Sequence, residues 1–177
     1  MQNLQSFFFV QILVICRTIH SNNKSIDELP LCCMQISAFA CIDTHHVMLY
    51  TSYFAKMSAI KAKLANDELP LQIVSIARWS PKWFRESKLL WLAPGDALLT
   101  AIKAGKLSNE AYELQYRAQL DKLLQNNPAI LSTLTRHALQ SNIVMLCYEA
   151  PGKFCHRHIL AKWLTEHTGL VVKELEF

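Results

Sequence analysis

Residues 143–167 read IVMLCYEAPGKFCHRHILAKWLTEH. The first part, Ile143 to Glu149, is an almost unbroken apolar run of strand length, rich in β-formers. Pro151-Gly152 then makes a turn. From Cys155 onward the spacing changes: Ile159, Leu160, Trp163 and Leu164 recur with the period of a helix that continues to about His167. A strand apolar on both faces belongs inside a parallel sheet. A helix directly after it is the crossover that parallel pairing needs. The stretch therefore decides for an α/β fold, and it gathers two cysteines, two histidines, an arginine, a glutamate and a tyrosine at one junction.

The neighbouring sequence extends the pattern. Gly169 stops the helix and VVKELEF makes a half-polar last strand. Upstream, LQIVSIAR (Leu71 to Arg78) is a second continuous apolar strand, and MLYTSYF, from Met48, is a third, followed by a short helical pattern from Ala55 to Leu64. WSPKWFRESKLLWLAP (Trp79 to Pro94) carries prolines and alternating aromatic and basic residues, and reads as a loop or short helices packed over the sheet. Asp96 caps a helix to about Ala104, and Ser108 caps another with Tyr112, Tyr116, Leu120, Leu123 and Leu124 on one stripe. Asn127-Pro128 opens a third helix to about Leu139. The order is strand, strand, helices, strand, helix, strand. It predicts an α/β fold, with a mainly parallel sheet and helices on both faces, in a single compact domain over residues 48–177.

The 177 residues suffice for one sizeable core, and 51% apolar with 18% charged composition argues for a folded chain rather than disorder. A formal net charge of +4 suits an anionic ligand and falls short of a dedicated DNA binder. Residues 1–47 are expected to be a poorly ordered N-terminal extension, with a targeting segment as the alternative. Their apolar tract Ser6 to Cys16 is too short to span a membrane, which takes about 20 residues. It also lacks the preceding positive charge of a signal peptide. Cys41 with His45-His46 offers metal-ligand types, but an unstructured tail explains them more simply. The six cysteines repeat no zinc-ligand spacing and a chain of this size does not require disulfides, so a reducing, cytoplasmic setting is the expectation, with no membrane.

In such sheets ligands sit beyond the carboxyl ends of the strands. Arg78 and Cys147-Tyr148-Glu149 are at such ends, and the helix from Cys155 points free N–H groups and its positive dipole end there. With Lys153 and Arg157 nearby, a small anion is the expected ligand. At about 100° per residue, His156 falls in the middle of the buried stripe while His158 faces solvent. Cys155, at the helix start, is the better candidate nucleophile, because the dipole and nearby cations favour its thiolate; His156 and Glu149 are candidates for acid–base work. Cys147 in an apolar strand reads first as a core thiol, and Tyr112 and Tyr116 as core packing. Glu149, directly after a buried strand, must sit at the rim or be paired by Arg78, Lys153 or Arg157. Zinc would take Cys147, Cys155 and His156, but neighbours on a helix diverge by about 100°, so no metal is assigned and the cofactor is left unknown.

LCYEAPGKFCHRHILAKWL, together with LYTSYFAK, VSIARWSPKWF, LAP and EAYELQY, resembles the domain-of-unknown-function 488 family across Met48 to Phe177. Its specific core is CYE followed by CHR before an apolar helix. The pattern carries over to Cys147, Glu149, Cys155, His156 and Arg157, and more loosely to Thr51, Ser52, Tyr53, Arg78, Pro81 and Trp83. The resemblance implies a compact α/β fold and supplies no activity.

Three functions fit these residues. An enzyme or binding protein for a small anionic or nucleotide-like ligand would use Arg78, Cys147, Glu149, Lys153, Cys155, His156 and Arg157. A nucleic-acid-associated module would use the aromatic and basic segment Trp79 to Lys88, though a packed aromatic lid is the simpler reading. A thiol redox protein would use Cys147 and Cys155. The first is favoured.

Overall fold

Every strand of the sheet runs in the same direction, and its middle is filled from late in the sequence. The computed structural model describes residues 49–177; the expectations for residues 1–47 lie outside them. The elements are β1 (Leu49–Tyr53), a 3-10 turn (Phe54–Lys56), α1 (Met57–Lys63), β2 (Leu71–Ser75), β3 (Ser87–Lys88), a second 3-10 turn (Leu90–Leu92), α2 (Asp96–Lys103), α3 (Asn109–Asn126), α4 (Ile130–Ala138), β4 (Asn142–Cys147), α5 (His156–Thr168) and β5 (Val172–Glu174). The strand order is β3-β2-β4-β1-β5, all parallel. The fold is the α/β architecture with a parallel sheet that the apolar runs imply.

β4 is central because all six of its residues are buried, which only a strand flanked and covered on both faces tolerates. It pairs Ile143 to Cys147 with Leu49 to Tyr53, and Asn142 to Leu146 with Leu71 to Ser75. The β1-to-β2 crossover runs one way along the sheet; the crossovers from β3 to β4 and from β4 to β5 run the other. Right-handed connections then put α1 on one face and α2 to α5 on the other. There α3 packs against α2 and α5, and α5 against β1, β4 and β5.

The local chemistry accounts for most boundaries. Ser108 caps α3, its hydroxyl accepting from the Ala111 N–H at 3.2 Å. Tyr112, Tyr116 and Leu120 form the buried stripe of that helix. Gly169 ends α5 at φ 74°, a left-handed conformation that costs glycine little. Four details differ from the sequence reading. β2 ends at Ser75, so Arg78 is not at its carboxyl end: Ile76 and Ala77 continue the apolar run as buried residues outside the strand. α2 is capped by Gly95, with Asp96 as its first residue. α4 begins at Ile130, two residues beyond Pro128. β3 was not foreseen, because two polar residues carry no period and their pairing to Val74 and Ser75 is made by the backbone alone.

α5 is held by Ile159, Leu160, Trp163 and Leu164, and Trp163 also donates its indole N–H to Asp121 Oδ1 of α3 at 2.7 Å. Leu160 has no exposed surface. Leu160→Ala should therefore cost about 2–5 kcal/mol, read as a lower urea midpoint at unchanged m-value. An unmoved midpoint would contradict this packing.

Candidate functional site

β2 and β4 are adjacent, and the chain leaves their carboxyl ends in opposite directions along the sheet. That divergence is a topological switch point, where open α/β sheets bind ligands. The residues after β4 lie at this point. The chain leaves Cys147, turns through Ala150 to Lys153 with Gly152 at φ 78°, and returns at Cys155. Arg157 fastens this turn by donating from Nη1 to the Glu149 carbonyl at 2.5 Å.

Two thiols meet one carboxylate oxygen. Glu149 Oε2 is 3.2 Å from Cys147 Sγ and 3.0 Å from Cys155 Sγ. Both cysteines are free and buried, while Glu149 is exposed. His156 is buried beside them, with Cys147 Sγ 3.6 Å from its Nδ1. Its Nε2 lies 3.0 Å from the Ile76 carbonyl oxygen, just past the end of β2. A carbonyl only accepts, so Nε2 carries a proton.

The two thiols are driven apart. A hydrogen bond from Cys147 holds the Cys155 thiol well below the usual range, against its own burial and with help from His156 and Glu149. Cys147 is held well above that range by the same bond, by burial and by the neighbouring negative groups. The physical reason for this ordering is that Cys155 is the N-cap of α5, at the positive end of the helix dipole. Glu149 Oε2 is within reach of a hydrogen bond from either sulfur.

Arg157 has no exposed surface. Its Nε donates to both carboxylate oxygens of Glu174 at 3.2 Å, and Nη2 is 3.0 Å from Glu174 Oε1, an ion-pair contact without hydrogen-bond alignment. Thr51 also donates to Glu174, at 2.5 Å, and His158 Nε2 is 3.7 Å from it. Burial opposes the charge of Glu174, but His158, Thr51 and Arg157 outweigh burial and hold its carboxyl down at about 2.

The turn after β4 thus gathers Cys147, Glu149, Cys155 and His156, with Arg157 behind them. It does not gather the remaining two expected residues. Arg78 lies three residues beyond the end of β2 and forms a two-pronged pair with Asp96, both contacts 2.9 Å, which ties the segment after β2 to α2. Lys153 is exposed on the turn and makes no ion pair among the described residues. Glu149 is paired by none of the cations expected for it: Arg157 takes its backbone carbonyl, which leaves the carboxylate to the thiols. The helical divergence expected between Cys155 and His156 does not apply, because Cys155 is extended at φ −152° and ψ 139°, outside the helix proper.

Sequence reasoning missed Glu174. The signal was present: a buried arginine requires a carboxylate, and a half-polar strand follows its helix. Tyr112 and Tyr116 are core residues, as their stripe implies, but they also wall the cluster. Tyr116 stands edge-on to His156 with ring centres 5.7 Å apart, and Tyr112 packs edge-on to Phe154 at 5.5 Å. Burial and the nearby Cys155, Cys147 and Glu149 push the Tyr112 hydroxyl up, so it remains a donor.

A family model described as DUF488-N3a, active DUF488-N3 subclade, matches residues 58–168. No curated protein and no solved structure matches the chain.

The depressed Glu174 carboxyl fixes the sign of one pH effect. Its stabilising contribution is complete above the unfolded value of about 4.3 and is lost as pH falls toward its folded value of about 2. Urea midpoints taken across that window should fall more steeply for wild type than for Glu174→Gln. Parallel curves would show that the pairing with Arg157 contributes nothing that depends on this charge.

Proposed function

The chain belongs to the DUF488 family, the matched region containing every member of the cluster from Cys147 to Arg157, and we propose that it is an enzyme acting at that cluster on a small anionic or nucleotide-like compound. The observation that carries the reading is the exposed Glu149 oxygen within 3.2 Å of two buried thiols. Stability does not ask for this arrangement, since buried cysteines pack well as plain hydrophobes. Chemistry does ask for it: a carboxylate beside a thiol is a place to put a proton. In this reading Glu149 transfers the proton, Cys155 stands next to the reacting atom, and His156 holds the sulfurs in place against the end of β2. The description of the matched subclade as active supports an enzyme.

Recognition falls to the rim. The first N–H groups of α5 attract an anion, and Lys153 on the exposed turn adds a positive charge. Arg78 and Arg157 are already committed to Asp96 and Glu174. Tyr148 is 51% exposed and Phe154 40%, one on either side of the Glu149 turn. Exposed rings flanking reactive groups suit a flat ligand such as a nucleobase. Free thiols at the centre suit a reducing, cytoplasmic compartment.

The test uses only rim residues, whose replacement leaves the core intact. In a panel of nucleotides and phosphorylated metabolites, one compound should raise the melting temperature of wild type; at about 100 times its Kd the stabilisation is about 2.7 kcal/mol. Phe154→Ala and Lys153→Ala should each lose most of that shift while melting normally without ligand. A shift of the same size in both variants, or none with any compound, rejects the proposal.

A further inference from the structure

We infer that Cys147, Cys155 and His156 form a binding site for a thiophilic divalent cation, zinc above all, with Glu149 on its open side. The inference rests on the proposal that this cluster is the reaction centre, and adds an ion to it. Four observations carry it. The first is composition: two sulfurs and an imidazole are the soft and borderline donors that zinc takes, and three protein ligands with one free position is the pattern of catalytic rather than structural sites.

The second is distance. The three donor atoms lie within 4.8 Å of one another. With metal–sulfur bonds of about 2.3 Å and metal–nitrogen bonds of about 2.0–2.1 Å, the sulfur–nitrogen edge of a tetrahedron is about 3.6 Å. Cys147 Sγ is 3.6 Å from His156 Nδ1. This convergence is possible because Cys155 stands outside the helix in extended backbone while His156 is its first helical residue.

The third is the support of the imidazole. His156 donates Nε2–H to the Ile76 carbonyl at 3.0 Å, and Cys147 Sγ lies 3.6 Å from Nδ1 and 3.7 Å from Nε2, so binding of the ion turns the ring to aim Nδ1 at it. Metal-bound histidines are held in this way by a backbone carbonyl or a carboxylate.

The fourth is access. Cys147, Cys155 and His156 are 2%, 4% and 7% exposed, so an ion there is shielded on the protein side. Glu149 touches both sulfurs and is itself exposed. When the ion binds, both sulfurs enter as thiolates, the Cys147 proton leaves to solvent, and two metal–sulfur bonds and one metal–nitrogen bond replace bonds from the ion to water. Glu149 is then positioned to ligate the ion or to take a proton from water bound to it. Both cysteines act as ligands in this state, and the nucleophile is that water or the substrate.

The experiment uses the full chain, reduced and loaded with zinc. Iodoacetamide labelling read by peptide mass spectrometry should show Cys147 and Cys155 protected at least ten-fold by zinc, with no mutation needed. Bound zinc should fall by one equivalent in Cys155→Ser/His156→Ala relative to wild type. Cobalt substituted for zinc should give thiolate charge-transfer absorption in wild type that this double variant lacks. Equal labelling with and without zinc overturns the inference. So does equal zinc in wild type and double variant, as when Cys32, Cys33, Cys41, His45 or His46 hold the ion instead. Either result leaves the ligand response of the rim standing, so the two proposals fail separately.

Discussion

Arg157 carries a permanent charge and has no exposed surface. Leaving such a group unpaired inside a protein costs several kcal/mol, more than most single contacts return. The chain around it is arranged to prevent that. Glu174 comes from β5, the Glu149 carbonyl from the turn after β4, and Thr51 of β1 secures Glu174 in its turn. One guanidinium thus ties the last helix to two strands and to the loop that carries the chemistry. The two residues preceding it, Cys155 and His156, inherit their positions from this anchorage. A lysine would keep the charge and lose the fork that reaches a carboxylate and a carbonyl together.

Behind the cluster stands a wall of rings. Tyr116 meets His156 edge-on and gives its hydroxyl to the Leu92 carbonyl at 2.5 Å; Tyr112 meets Phe154. The wall keeps water from the far side, and in such surroundings each polar contact weighs more and each unmatched one costs more. Among the described residues, the side at Glu149 is exposed. That asymmetry, a dry back and a wet front around two sulfurs, one imidazole and one carboxylate, is hard to explain by folding stability alone.

The fold was legible because periodicity reports burial. β4 and β2 are apolar on both faces, and the stripe of α5 separates His156 from His158. β3 was invisible for the opposite reason: its side chains are exposed, and a two-residue strand made by backbone bonds leaves no pattern. The site was half legible. Cys147, Glu149, Cys155 and His156 are close in sequence and on either side of one turn, so local geometry nearly brings them together. Arg78 belonged to the segment after another strand, and nothing in the sequence showed that Asp96 would claim it. Glu174 likewise required knowing which strand ends beside α5. Pairings across the sheet are set by topology, and topology is where the reading of local pattern stops.

The place of β4 has a consequence for how the protein is made. Its neighbours β1 and β2 are separated from it by dozens of residues, and they do not pair with each other. Until Asn142 to Cys147 have left the ribosome, neither strand has its main partner, and both expose apolar edges that invite association with other chains. Synthesis therefore leaves no stable half-sheet to wait on, and assembly is a late, concerted event dominated by long-range contacts, the slow regime of folding. The segment that completes the sheet is also the one that brings the thiols, so a nascent chain has no partial site either. Structure and reactive centre arrive together, from the same thirty or so residues.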